Sequence, residues 1–243
     1  MKCPQKTVET CFSPALYKYQ NIEDCIVVVV DILRASSSVC TAIDFGISEI
    51  IPVGSLEEAK EFKNKGFIVA AERDGKILDF ADIGNSPNDF LKDELKGKTI
   101  AYSTTNGTQT MLMGKDNYMV IIGSFLNLTA VSELLIKSEK NVLILCSGWK
   151  NRFSLEDALF AGALAEKLLK SDIFCTICDS VFASVDIWNL AKHDIDTYIE
   201  KCAHKHRLQK LGLADVIPYC FEIDKLNSIP LYKDGKITRY AQP

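Results

Sequence analysis

Ile26-Val27-Val28-Val29-Val30 is an unbroken β-branched run, and Asp31-Ile32-Leu33-Arg34-Ala35-Ser36-Ser37-Ser38 follows it with no glycine or proline between. The run predicts a strand covered on both faces, and Ser36–Phe45 predicts a helix folded back on it. The alternation continues along the chain. Further strands are expected at Ile50–Val53, Phe67–Ala70, Thr99–Tyr102, Tyr118–Ile122 and Val142–Leu145. Helices are expected at Leu56–Asn64, Gly107–Met113, Thr129–Lys137 and Leu155–Leu169. Such alternation predicts an α/β fold with a largely parallel sheet. Ser154 is expected to cap the helix at Leu155, with Asp157 returning a bond as in a capping box. Later segments read as helices at Val181–Leu190, Ile195–His206 and Arg207–Leu211, then a hairpin turning at Asp234-Gly235.

Two stretches of strand, turn, helix, strand and helix resemble each other, with Gly54-Ser55 matching Gly123-Ser124 and Asp31 matching Ser103. One reading is two similar lobes, 1–95 and 96–243, around a shared cleft. The other is chance likeness within a single α/β unit, 1–243, since any two such units look alike. With 28 basic and 32 acidic residues the net charge is −4, which argues against a nucleic-acid scaffold. Apolar runs such as Ile26–Val30 fall far short of the roughly 20 residues that cross a bilayer, so no membrane role is expected. Met1-Lys2-Cys3-Pro4-Gln5-Lys6 has no signal core. Nine cysteines, an odd number in a long chain, then read as mostly reduced thiols of a cytoplasmic protein. A homodimer is the default assembly.

Polar residues gather directly after the strands, where open α/β sheets bind ligands. Four sets stand out: Asp31 to Ser38, Ser103-Thr104-Thr105-Asn106-Gly107-Thr108, Gly123-Ser124-Phe125-Leu126-Asn127, and Cys146 to Ser154. Hydroxyls, glycines, Arg34 and Arg152 at such places suit a small polyanionic ligand, although single Ser, Thr and Asn residues also cap helices. There is no P-loop and no dinucleotide fingerprint. Asp31 resembles a strand-end aspartate nucleophile, but Leu33 stands where such phosphatases carry a second acid. Cys146 and Arg152 have the Cys-x5-Arg spacing of cysteine-dependent phosphatases, with Phe153 and Trp149 ill suited to a tight anion loop. Glu72-Arg73 and Glu156-Asp157, with Asp31, supply carboxylates able to hold Mg²⁺. Cys175, Cys178, Cys202 and His204 can be drawn as a zinc site, or read as core thiols.

Several spaced motifs resemble the 2-phosphosulfolactate phosphatases. They are Val30 to Ser36, Ile51 to Ser55, Gly84-Asn85-Ser86-Pro87, Thr104 to Thr108, Gly123 to Asn127, Gly148-Trp149 and Arg152 to Asp157. The likeness extends to His204–Leu208 and Ile229-Pro230; Ala71-Glu72-Arg73 stands where the family often has Gly-Glu-Arg. The resemblance implies Mg²⁺-dependent hydrolysis of (R)-2-phospho-3-sulfolactate to 3-sulfolactate and phosphate, a step of coenzyme M biosynthesis. The catalytic groups expected on that basis are Asp31, Arg34, Arg152 and Glu156. Ser36, Arg73, Thr104, Thr105, Asn106, Gly107, Thr108, Ser124 and Asn127 are expected to bind substrate. Asp31, with Glu72 or Asp157, is expected to hold the metal. A thiol phosphatase and a non-catalytic anion-binding module are the competing readings.

Overall fold

The computed structural model describes residues 6–20 and 24–241; Met1–Gln5, read above for a signal core, lie outside them. Its strands are β1 (Lys6–Cys11), β2 (Cys25–Val30), β3 (Glu49–Pro52), β4 (Ile68–Arg73), β5 (Lys76–Ile77), β6 (Thr99–Ser103), β7 (Met119–Gly123), β8 (Asn141–Cys146), β9 (Phe174–Cys175), β10 (Pro230–Lys233) and β11 (Lys236–Arg239). Its helices are α1 (Ala35–Phe45), α2 (Leu56–Asn64), α3 (Gly107–Met113), α4 (Leu128–Ser138), α5 (Leu155–Leu169), α6 (Asp179–Ala191), α7 (Ile195–Tyr198), α8 (Ala203–Lys210) and α9 (Ile217–Cys220). The fold is α/β, as its alternating pattern predicts.

One sheet runs in the order β5-β4-β6-β3-β11-β10-β7-β2-β8-β1-β9. Strand β2 pairs in parallel with β7 and β8, and all six of its residues are buried. Ile26, Val28 and Val30 enter one core, while Cys25, Val27 and Val29 enter the other, the period-two alternation of a strand covered on both sides. The Asp234-Gly235 hairpin forms, and it is antiparallel to both β7 and β3. It therefore joins two parallel blocks, β4-β6-β3 and β7-β2-β8, that run in opposite senses. The two similar units of the sequence interleave here: β2 lies between β7 and β8, and β6 lies between β3 and β4. A division near residue 95 would cut through the sheet.

Helix α1 explains how the blocks meet. Ala35 to Ile43 are all buried, and their core takes side chains from β2, β7 and β8 as well as from β3, β4 and β6. The sheet curls around α1. Small residues permit this, and their hydroxyls are satisfied internally: Ser37 donates to the Ile32 carbonyl (2.9 Å), Thr41 to the Ser37 carbonyl (2.8 Å) and Ser38 to the Asn85 carbonyl (2.9 Å).

Two expectations need correction, and one strand lies outside the expected set. Lys6–Cys11 is a strand between β8 and β9, hidden in the sequence because Lys, Thr and Glu interrupt its apolar pattern. The helix expected over Ile195–His206 breaks at Cys202, whose extended backbone separates α8 from the preceding turn. Ser154 makes no side-chain cap to α5, and Asp157 reaches across to other strand ends instead.

Helix α5 carries Glu156 and Asp157, so its seating matters to the site. A Cβ at Gly162 would lie 1.9 Å from the Ser184 carbonyl oxygen, so only glycine lets α6 cross this closely. Glu166 clamps the same crossing, accepting from Trp188 Nε1 (3.0 Å), Lys192 Nζ (3.0 Å) and Lys170 Nζ (3.1 Å). Burial pushes the Glu166 pKa up, but these donors outweigh it and hold it at about 2. Its stabilising effect is complete above the ordinary value of 4.5 and fades as pH falls toward about 2. Glu166→Gln should therefore lose about 1–2 kcal/mol in urea titrations at neutral pH. The gap from wild type should close progressively in acid.

Candidate active site

Asp31 follows β2 directly. Its N–H donates to Ser36 Oγ (3.1 Å), and its Oδ1 accepts from the Ala35 N–H (3.3 Å) at the start of α1. Oδ2 has no hydrogen-bond partner among the described residues. Burial raises the Asp31 pKa to about 6; His204 and the Ala35 N–H lower it, and Glu72 and Glu156 raise it further. The Leu33–Arg34 peptide is cis. Arg34 is only 4% exposed, yet no carboxylate among the described residues lies within ion-pair distance of it. A buried guanidinium without an anion is costly unless a ligand supplies one.

The turn after β6 meets this point from the opposite block. A Cβ at Gly107 would lie 2.5 Å from Ala35 Cβ and 2.9 Å from Asp31 Oδ2, so glycine is needed where the turns touch. Thr104 and Thr108 lock the turn reciprocally, the Thr108 N–H donating to Thr104 Oγ1 (3.1 Å) and the Thr104 N–H to Thr108 Oγ1 (3.3 Å). Glu72, at the end of β4, accepts the Thr105 N–H (2.8 Å) and the Gly75 N–H (2.7 Å). Asn106 Oδ1 accepts the Lys150 N–H (3.0 Å).

Two buried carboxylates complete the frame. Asp157 accepts the Ile32 N–H (2.9 Å) on Oδ1 and the Gly148 N–H (3.0 Å) on Oδ2, tying the ends of β2 and β8 together. Glu156 Oε1 pairs with His204 Nδ1 (3.2 Å), and the imidazole rests on Trp149 at 5.2 Å between ring centres. Asn85 is anchored by the Tyr102 hydroxyl donating to Oδ1, which leaves its amide N–H groups for a ligand. Asp31, Arg34, Glu72, Asn85, Thr104 to Asn106, Trp149 and His204 line one hollow. It can hold an anion against Arg34 and amide donors, beside an open carboxylate oxygen and a histidine.

The family model described as 2-phosphosulpholactate phosphatase matches residues 11–235. The chain belongs to this family. It is 37% identical over 220 residues to a probable 2-phosphosulfolactate phosphatase of Caldanaerobacter subterraneus, covering 89% of this chain and 90% of the relative. The probable 2-phosphosulfolactate phosphatase of Thermotoga maritima is 36% identical over 208 residues, covering 86% and 89%. That of Clostridium novyi is 31% identical over 235 residues, covering 96% and 99%.

Within the family's fold, the expected site residues separate by position. Asp31, Arg34, Glu72, Thr104, Thr105 and Asn106 face the hollow together. Ser36, Gly107 and Thr108 shape its walls, and Glu156 acts on it through His204. Arg152 does not join them: its side chain is exposed, because Gly148 to Arg152 close a tight backbone turn that faces it outward. Arg73 donates to the Ser103 hydroxyl (3.0 Å) and the Glu72 carbonyl (2.6 Å) and lies outside the lining. Ser124 and Asn127 are also outside it, since Asn127 bonds the Ile122 and Ser228 carbonyls (3.3 and 3.0 Å) and anchors the C-terminal segment. Asn85, Trp149 and His204 were not among the expected site groups. Trp149 lies in the polar set after β8 and His204 in the drawn zinc set, but neither was given a role at the site, and Asn85 was marked by a family motif.

The described residues bring no three metal-ligating side chains together. Of Asp31, Glu72 and Asp157, the last two have both oxygens engaged by N–H groups, so only Asp31 offers a free one. One carboxylate oxygen beside an anion pocket suits Mg²⁺, which takes few protein ligands and fills its shell with water and phosphate. Cys146 lies in the core with 0% exposure, and burial pushes its thiol well above the ordinary value. That is opposite to what a thiolate nucleophile needs. Cys175 is disulfide-bonded and His204 is held by Glu156, which disperses the drawn zinc set. Gly107→Ala should cut kcat/KM at least a hundredfold, because the added methyl displaces Asp31; steady-state assays beside a thermal melt will separate this from unfolding.

Proposed function

We propose that the protein hydrolyses (R)-2-phospho-3-sulfolactate to 3-sulfolactate and phosphate with the help of Mg²⁺. The observation that carries this reading is Arg34, buried without an ion pair in the same hollow as the free Asp31 oxygen. Family membership supports the phosphatase chemistry. The substrate bears phosphate, carboxylate and sulfonate, about −4 in all, so a pocket that also contains acids needs a cation. Asp31 would hold it, and bound Mg²⁺ would neutralise charge building on the phosphoryl oxygens.

Arg34 grips phosphoryl oxygens through its planar fork, and the Asn85 amide and the Thr105–Asn106 turn supply further donors. A water molecule adds to phosphorus in line as the phosphorus–ester oxygen bond breaks, and its two protons leave on the phosphate product. With Nδ1 engaged by Glu156, His204 has Nε2 left to give the departing alkoxide its proton.

The test is phosphate release from a panel of phosphorylated 2-hydroxy acids. Phosphosulfolactate should be turned over best, chelation should abolish the reaction and added Mg²⁺ should restore it. Binding without phosphate release at any Mg²⁺ concentration would establish an anion-binding module instead. Arg34→Ala should lose on the order of 2–4 kcal/mol of transition-state stabilisation, read from kcat/KM. Cys146→Ser should remain active, whereas a thiol phosphatase would be dead.

A further inference from the structure

The inner hollow is the tighter of two neighbouring spaces, with a cavity volume of about 20 Å³. Gly75, Trp149, His204 and Leu208 border both this hollow and a second, outer chamber of about 300 Å³. Arg207 of α8 lies there with its guanidinium over the Trp149 ring, 4.3 Å from the centroid. Its Nε is buried and has no hydrogen-bond partner, and no carboxylate among the described residues lies within ion-pair distance of it. Lys150, across the same indole at 5.2 Å, already pairs with Asp74 (2.9 Å). Arg207 is thus a second guanidinium with no carboxylate in ion-pair distance among the described residues; Glu156 acts on it only from farther off, and Trp149 borders both its chamber and the hollow that holds Arg34.

We infer that Arg207 is the specificity subsite for the sulfonate of the substrate, holding it in the outer chamber while Arg34 holds the phosphoryl group inside. This rests on the phosphatase reading above. The chemistry of the chamber favours sulfonate over carboxylate. A sulfonate is a far weaker base and is less tightly hydrated, so it costs less to desolvate against Trp149, Leu208 and Leu211. A guanidinium held over an indole is a weakly hydrated cation of matching character.

The experiment compares 2-phospho-3-sulfolactate with 2-phospholactate, which lacks only the sulfonate, in wild type, Arg207→Gln and Arg207→Lys. Wild type should prefer the sulfonated compound. Arg207→Gln should lower that preference, as a ratio of kcat/KM values, at least tenfold, chiefly through KM of the sulfonated substrate. Arg207→Lys should recover part of it and, with thermal melts, control for folding. Equal losses on both substrates, or an unchanged preference, would overturn the subsite while leaving the phosphatase reading intact. A matching loss on a third substrate that keeps the sulfonate but lacks the carboxylate would support the subsite, and no loss there would overturn it. A wild type that releases phosphate from neither compound would instead overturn the substrate reading itself.

Discussion

The site exists because the sheet closes over α1. Strands β2 and β6 lie five positions apart in blocks that run in opposite senses, so a flat sheet would leave their ends far from each other. Burial of α1 on all sides forces the curl, and contact of Gly107 with Ala35 and Asp31 fixes how far it goes. Any side chain at residue 107 would hold the two turns apart, and the pocket would lose the juxtaposition of Asp31 with Thr104 to Asn106.

Buried carboxylates then act as staples across the closed structure. Glu72 joins the end of β4 to the turn after β6, Asp157 joins the ends of β2 and β8, and Glu156 brings in α8 through His204. Each accepts hydrogen bonds from groups with no other partner. Such bonds are worth roughly 0.5–3 kcal/mol apiece, least at Asp157, whose pKa burial and the neighbouring Glu156 and Asp31 carboxylates push well up. Asp31 departs from this pattern, keeping one oxygen in reserve, and Arg34 keeps its whole guanidinium. Their unpaired state is what a fold built to enclose an anion with its counterion would retain.

The same logic extends outward. Trp149 borders the Arg34 hollow and carries His204, Arg207 and Lys150 around its ring, and neither Arg34 nor Arg207 has a carboxylate in ion-pair distance among the described residues. An indole in this position sets the spacing between cationic groups while presenting a dry surface between them. On the proposed reading, the spacing of cationic groups rather than net positive charge would select the ligand, in a chain whose overall charge is negative.

The alternation of Val/Ile runs with helices, the turn-prone Asp234-Gly235 pair, and the polar residues trailing Val30 and Tyr102 are all local, so sequence alone determined the α/β class and two of the site's walls. The family motifs marked Asn85, Trp149 and His204 as well, without assigning them work. Tertiary structure decided the rest. Arg152 and Arg34 look equivalent in sequence, but one sits on a tight turn facing solvent and the other is buried at the start of α1. Asp157 and Glu156 are neighbours, yet a helical step of about 100° sends one to backbone donors and the other to a histidine. Which polar group is consumed by the fold and which stays free for a ligand depends on partners dozens of residues away, and no local pattern encodes that.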